Sequence, residues 1–149
     1  MSALEAKVPP PVLLGMLAAL IWLCPRILEP SAVLSSAGVA LLVVGLGINA
    51  WPKLLFRRAG TPVSPIQLTL ASALITDGPY RFSRNPMYLG YALALLGWSV
   101  WLTQPWGLLA VVFFVAYITR FQIMPEERHL SSRFPAQYAV YSREVRRWA

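Results

Sequence analysis

The sequence predicts an all-α integral membrane protein: about four transmembrane helices, a cytoplasmic loop and an amphipathic helical tail. Three observations carry this. The 149 residues are 57% hydrophobic with only 13% charged, and the mean hydropathy is +0.57, whereas a soluble domain carries about a quarter charged residues. Four apolar stretches approach the roughly 20 residues needed to cross a bilayer. Twelve of the thirteen lysines and arginines fall on one side once four spans are drawn, which is the asymmetry that marks the cytoplasmic face.

The first span, about 8–24, is short, starts on prolines and ends at Pro25-Arg26. The second, about 31–51, is rich in Ser, Ala and Gly, which lets helices approach closely and permits, without requiring, a dimer; Pro52-Lys53 is expected to end it. The third and fourth, about 86–104 and 106–124, come from 35 residues without a charge, Asn85 to Thr119, split by Gln104-Pro105. They read as a helical hairpin with a minimal turn.

Four spans place both termini, the loop 53–85 and the tail 125–149 together, with Arg26 alone opposite. The loop is too polar and proline-rich (Pro62, Pro65, Pro79) to be a further span. The start lacks the basic lead and cleavage site of a signal peptide. In the tail, Leu130, Phe134, Tyr138, Tyr141, Val145 and Trp148 recur at helical spacing. Pro135 is expected to restart the helix, and the stripe suits a helix lying on the membrane surface.

The net charge of +7 fits either nucleic acid or anionic lipid; the apolar content favours a bilayer and no nucleic acid. One histidine and one cysteine give no metal site, and Cys24 reads as packing. His129 reads as a solvated surface residue. Gly45-Leu46-Gly47-Ile48-Asn49-Ala50 matches a dinucleotide fingerprint, but such a pattern has meaning only between a strand and a helix. Inside an apolar span, helix packing explains the glycines.

Two clusters carry chemistry. Asp77–Gly90, DGPYRFSRNPMYLG, holds a Gly-Pro turn, Arg81, Arg84, Tyr80, Tyr88 and an Asn85-Pro86 helix start. It is an ordinary interfacial anchor or an anion cradle with aromatic faces. Glu126-Glu127 follows the fourth span and either loads a helix N-terminus or contacts a cationic or hydroxyl-bearing ligand. Arg120 reads as snorkelling to the interface.

Together, LITDGPYRFSRNPMYLG (Leu74–Gly90) and EERHLSSRFPAQYAVYSREVRRW (Glu126–Trp148) resemble the isoprenylcysteine carboxyl methyltransferase and phospholipid methyltransferase superfamily. The likeness covers the last half of the chain at specific positions; the first half matches in hydropathy, with Gly60-Thr61-Pro62-Val63 and Pro65 as looser points. The resemblance implies an integral-membrane enzyme using S-adenosylmethionine (SAM). It implies that Leu74, Ile75, Tyr80, Asn85, Pro86, Met87, Tyr88, Glu126 and Glu127 bind the cofactor, with Glu127 and Arg84 catalytic. Arg120 and Gln122 would face a lipophilic or lipid acceptor entering from the bilayer.

The sequence departs from the prenylcysteine enzymes at Asn85, where they carry histidine, at Pro135, where the family has glycine, and at Gln122, where a basic residue holds the substrate carboxylate. These departures bring a phospholipid amine forward as an alternative acceptor. The remaining alternatives are an NADPH-dependent sterol-reductase-like enzyme and a non-catalytic membrane scaffold.

Overall fold

The computed structural model describes residues 8–58 and 74–149. The loop residues 59–73, with the Gly60–Val63 and Pro65 matches, and Lys7 with the rest of the amino-terminal start lie outside them. Among the described residues there are helices and no strand. They run α1 (Pro10–Leu23), α2 (Ala32–Arg58), a 3-10 turn (Gly78–Arg81), α3 (Pro86–Trp101), α4 (Gly107–Ile118), α5 (Met124–Arg133) and α6 (Pro135–Glu144). A π turn, Thr119–Ile123, joins α4 to α5.

Two helical stretches are long and apolar enough to cross a membrane, Ala32–Leu55 and Gly107–Arg133. α1 and α3, at 14 and 16 residues, are shorter. Large apolar side chains stand exposed along α1 (Val12, Met16, Leu20), α2 (Val33, Val43, Val44) and α4 (Leu109, Val112, Phe113). Water would not tolerate so much contiguous apolar surface on a monomer, whereas lipid matches it. α3 is the central element, packed against α1, α2 and α4. Its Leu95 shares the main core with Phe114 and Ile118 of α4 and Ile21 of α1.

The α2–α3 packing is set by glycine. A Cβ on Gly45 would lie 2.5 Å from the Ala94 nitrogen, and one on Gly90 the same distance from the Asn49 nitrogen. Cβ atoms on Gly38 and Gly97 would overlap the backbones of Trp101 and Leu42. Two pairs spaced by seven residues thus bring main chain against main chain. The fingerprint glycine Gly45 is one of these, whereas Gly47 faces open space. The small-residue face of the second span is therefore used within the chain.

The described helices correct three sequence expectations. α2 does not stop at Pro52; it runs through it to Arg58. The ring is fully buried, and inside an apolar run one lost backbone bond costs less than unravelling the helix. The fourth helix does not end at Met124 either. Pro125 cannot donate a backbone hydrogen bond, and the π turn just before it, closed by Met124 N–H to Thr119 O, lets the helix continue to Arg133 as a local bulge. Glu126 and Glu127 therefore sit in a continuous helix rather than at a free N-terminus. They lie beyond its apolar run, which ends at Met124.

The tail is the third correction. Pro135 does restart the helix, after Phe134 leaves helical geometry. The apolar stripe, however, faces the protein: Tyr138 and Tyr141 form a cluster with Tyr80, flanked by Leu74, Ile75, Leu130, Phe134 and Val145. Trp148 leaves the stripe and packs on the main core. The loop segment before α3 supplies an apolar floor of its own, so the stripe covers that floor rather than lipid. At the far end, the hairpin turn has Thr103 at φ 54°, and the buried Gln104 donates to Cys24 O at 3.0 Å.

Candidate functional site

Three segments meet: the turn and loop 78–85 with the first turns of α3, the start of α5, and the last residues of the chain. The carboxy-terminal residues act as a strap. Arg84 N–H donates to Arg146 O at 2.9 Å, and Asn85 Nδ2 donates to Arg147 O at 3.0 Å. Ser83 Oγ reaches the same carbonyl at 3.4 Å. Trp148 Nε1 donates to Thr119 Oγ1 at 3.2 Å, tying the strap to the π turn. Asn85 stands at the N-cap position of α3 but makes no side-chain cap bond, because its amide is turned to the strap. Asn85 thus offers no side-chain acceptor to the first N–H groups of α3.

The two adjacent glutamates point into different environments. Glu127 is an anion held by two arginines. Arg147 grips it with a fork, Nε to Oε1 at 3.1 Å and Nη2 to Oε2 at 2.7 Å, and Arg84 Nη1 approaches Oε1 at 3.1 Å. Arg84 also donates to Tyr138 Oη at 3.2 Å. This bidentate geometry is the strong form of an ion pair. Glu126 instead accepts from a neutral hydroxyl: Tyr88 Oη donates to its Oε1 at 2.6 Å. Burial is the main reason that its pKa is pushed up to about 7; the neighbouring Glu127 charge adds to this and the Tyr88 bond opposes it. Glu127 is held by guanidinium groups, and Glu126 is poised to change charge near neutrality.

Around them the tyrosines are neutral hydroxyls. Burial raises Tyr80 and Tyr138 above the ordinary phenol range, and Tyr141 is pushed up to about 12, again chiefly by burial. Tyr141 Oη donates to Tyr80 O at 2.8 Å, which fixes the turn before α3. Arg84 Nε is buried with no hydrogen-bond partner among the described residues.

The residues singled out in the sequence divide accordingly. Tyr88 and Glu126 are in direct contact, as are Arg84 and Glu127. Asn85 is tied to the strap, Pro86 is fully buried, and Met87 O accepts from Asn49 Nδ2 at 2.8 Å. Tyr80, Leu74 and Ile75 form the apolar floor with the tail tyrosines. Gln122 is 3% exposed and donates to Val8 O at 3.0 Å, so it holds the start of α1. Arg120 is exposed, with its guanidinium 5.6 Å from the Phe121 ring centre. His129 is half-buried rather than solvated, and its Nε2 has no partner among the described residues.

Sequence reasoning missed Arg147, Tyr138 and Tyr141 as members of this cluster. On a tail that lies along the membrane surface, arginines and tyrosines are unremarkable. The available signal was the charge count: two glutamates side by side in a basic tail require cations close by.

The comparisons with known proteins point the same way. A family model described as phospholipid methyltransferase matches residues 33–137, more than half of the chain. An uncharacterised protein of Haemophilus influenzae is 44% identical over 62 residues, 42% of this chain and 98% of that protein. Protein-S-isoprenylcysteine O-methyltransferase A of Arabidopsis thaliana is 30% identical over 114 residues, 74% of this chain and 56% of that protein. The protein-S-isoprenylcysteine O-methyltransferase of Saccharomyces cerevisiae is 32% identical over 72 residues, 48% and 30% of the two chains. The chain thus spans little more than half of the plant relative, and no solved structure matches it. With the matching region reaching from α2 into α6, the chain belongs to the phospholipid methyltransferase family.

Proposed function

We propose that this chain is a membrane-integral methyltransferase that moves the methyl group of SAM to a lipophilic acceptor, in the manner of the isoprenylcysteine carboxyl methyltransferases. The observation that carries the reading is the pairing of Tyr88 with Glu126 at 2.6 Å beside an arginine-clamped Glu127, at the open start of α3. In this reading α1 to α4 all cross the bilayer, with the loop, the tail and both termini on the cytoplasmic side, where SAM is made.

The residues present fit the cofactor. SAM supplies a methyl group on a sulfonium, already activated for displacement. Its carboxylate suits the uncapped N–H groups of α3 and the buried Arg84 Nε, which has no partner among the described residues. Its cationic groups suit Glu126, whose carboxylate gains from a cation what burial takes away. Leu74, Ile75 and Tyr80 offer an apolar and aromatic wall for adenine. Asn85, Pro86, Met87 and Tyr88 shape the cradle, and Glu127 with Arg84 holds the strap over it.

This changes the roles within the pair. Both oxygens of Glu127 are engaged by guanidinium groups, so it orders the site. Glu126 is the carboxylate free to contact the cofactor and to accept a proton. A carboxylate acceptor would need no proton removed by the protein. An amine acceptor must lose a proton, and Glu126 is the carboxylate placed to take it. Gln122 is committed to Val8 O, which favours the phospholipid amine as the second reading.

Two measurements test this. SAM or its demethylated product is expected to raise the thermal midpoint of the detergent-purified chain; no change at millimolar ligand contradicts the reading. Membranes labelled with methyl-labelled SAM are then treated with mild base. Volatile label indicates a methyl ester, and retained label indicates N-methylation.

A further inference from the structure

Lys53 stands at the cytoplasmic end of α2 in the proposed topology, one turn past Asn49. A lysine at a helix end in a bilayer ordinarily extends outward to water. This one turns inward: Nζ contacts Asn49 Oδ1 at 2.5 Å and Tyr91 Oη at 3.4 Å, and lies 5.3 Å from the centre of the Tyr91 ring. It is half-buried. An ionisable group held on the apolar side of an interface is costly and marks a functional position.

Its partners are neutral, and the chain has few anions to offer. There are six acidic residues in all. Glu126 is bonded to Tyr88 and Glu127 to two arginines. Asp77 and Glu144 are exposed. Glu29 precedes the other end of α2, about 30 Å away along a helix rising 1.5 Å per residue. Glu5 lies outside the described residues. Among those described, no carboxylate pairs with Lys53. An ammonium has three donors, and at most two are used here.

The position matters as much as the charge. Asn49 is 4% exposed and donates to Met87 O, which pins this part of α2 to the first turn of α3. Tyr91 is one turn along α3 from Tyr88, which holds Glu126. Lys53 therefore lies about one helical turn from the proposed methyl-transfer centre.

Resting on the methyltransferase reading, we propose that Lys53, positioned by Asn49 and Tyr91, binds the anionic oxygen of the acceptor, so that the acceptor is an anion-bearing lipid. A carboxylate and a phosphate diester share this chemistry. For a carboxylate acceptor Lys53 orients the nucleophile; for a phospholipid amine it holds the phosphate while the amine reaches Glu126.

The test uses the full chain in detergent and needs no turnover. Oleate is the carboxylate probe, lysophosphatidylglycerol the phosphate-diester probe and oleyl alcohol the neutral control, each titrated against the thermal midpoint. SAM affinity is measured by calorimetry on the same preparations. Lys53→Met is expected to weaken one or both anionic probes about tenfold or more, as expected for a lost charge-assisted contact. Oleyl alcohol and SAM should bind unchanged, and Lys53→Arg should restore most of the anion affinity. The stronger of the two anions identifies the source. Equal anion binding by wild type and Lys53→Met overturns the proposal. So does a parallel loss of oleyl alcohol and SAM binding, which marks a structural role. If Lys53→Met does not fold, Lys53→Gln gives the same comparison. Anion binding through Lys53 without SAM binding would sink the methyltransferase reading while leaving the anion site standing.

Discussion

α3 is joined to its neighbours in two opposite ways. Along α2 the joint is made by absent side chains, with Gly38 and Gly45 against Gly97 and Gly90. At the start of α3 the joint is made by charge: Arg84, Glu127 and Arg147, with the strap carbonyls accepting from Arg84 and Asn85. The glycine seam has no titratable part and no adjustable length. The charged clasp has both. A rigid seam can hold the helix while a clasp of graded strength responds to a ligand, and the two should fail differently.

The largest effect is expected at the seam. In Gly97→Leu the new Cβ overlaps the Leu42 backbone, which cannot move as a flexible side chain would. Overpacking of this kind costs about 1–3 kcal/mol or more, with α2 and α3 forced apart. Loss of the monodisperse peak in detergent size exclusion is the expected result. A wild-type peak at wild-type yield would show that the seam is softer than its geometry implies.

Glu127→Gln comes next. It leaves Arg84 and Arg147 without their anion. Breaking a buried pair costs about 3–5 kcal/mol, and the lower end applies because the Arg147 side chain is 39% exposed. The variant should still insert, with a lowered thermal midpoint and SAM affinity reduced about tenfold or more. Unchanged stability and affinity together would remove Glu127 from the clasp.

Glu126 should give a pH signature instead. Its raised pKa means that the ligand-free folded protein keeps a proton that an exposed carboxyl has lost. Stability from this group is therefore present on the acid side and declines as pH rises from the ordinary carboxylate range through about 7. Binding of a cation runs in the opposite sense. SAM affinity should rise about tenfold between pH 6 and 8 and then level off, with protons released on binding. Glu126→Gln should flatten that profile, as read by calorimetry in buffers of different ionisation heat. A pH-independent wild-type affinity would place the cation elsewhere.

The smallest effect is expected for Trp148→Phe, which removes the single bond from the strap to Thr119 and keeps most of the packing. A net hydrogen bond is worth about 0.5–1.5 kcal/mol, so the thermal midpoint should fall slightly and methyl transfer should persist. A collapse of activity would make the strap a far more important element than its other bonds suggest.

Helices α1, α3 and α4 lie close to the apolar runs that announced them, since apolar patterning is a local property. The ends were harder to read. Pro52 and Pro125 both look like stops, and both lie inside helices, because burial of one ring and a π turn before the other compensate for the missing donors. The amphipathic stripe was legible, but its partner was not. Periodicity gives the angle of a face and says nothing of whether lipid or Tyr80 covers it.

The sequence by itself determined the chemistry available to this protein: the apolar spans, the one-sided basic charge and the two motifs that carry the family likeness. These depend on residue type and near spacing. Only the tertiary structure decided the division of labour between two adjacent glutamates. One residue apart in a helix, they point about 100° away from each other. One meets Tyr88 in a poorly hydrated place and the other meets arginines from segments 43 and 20 residues distant in the chain. Charge state is set by what surrounds a carboxylate in space, and no reading along the chain contains that.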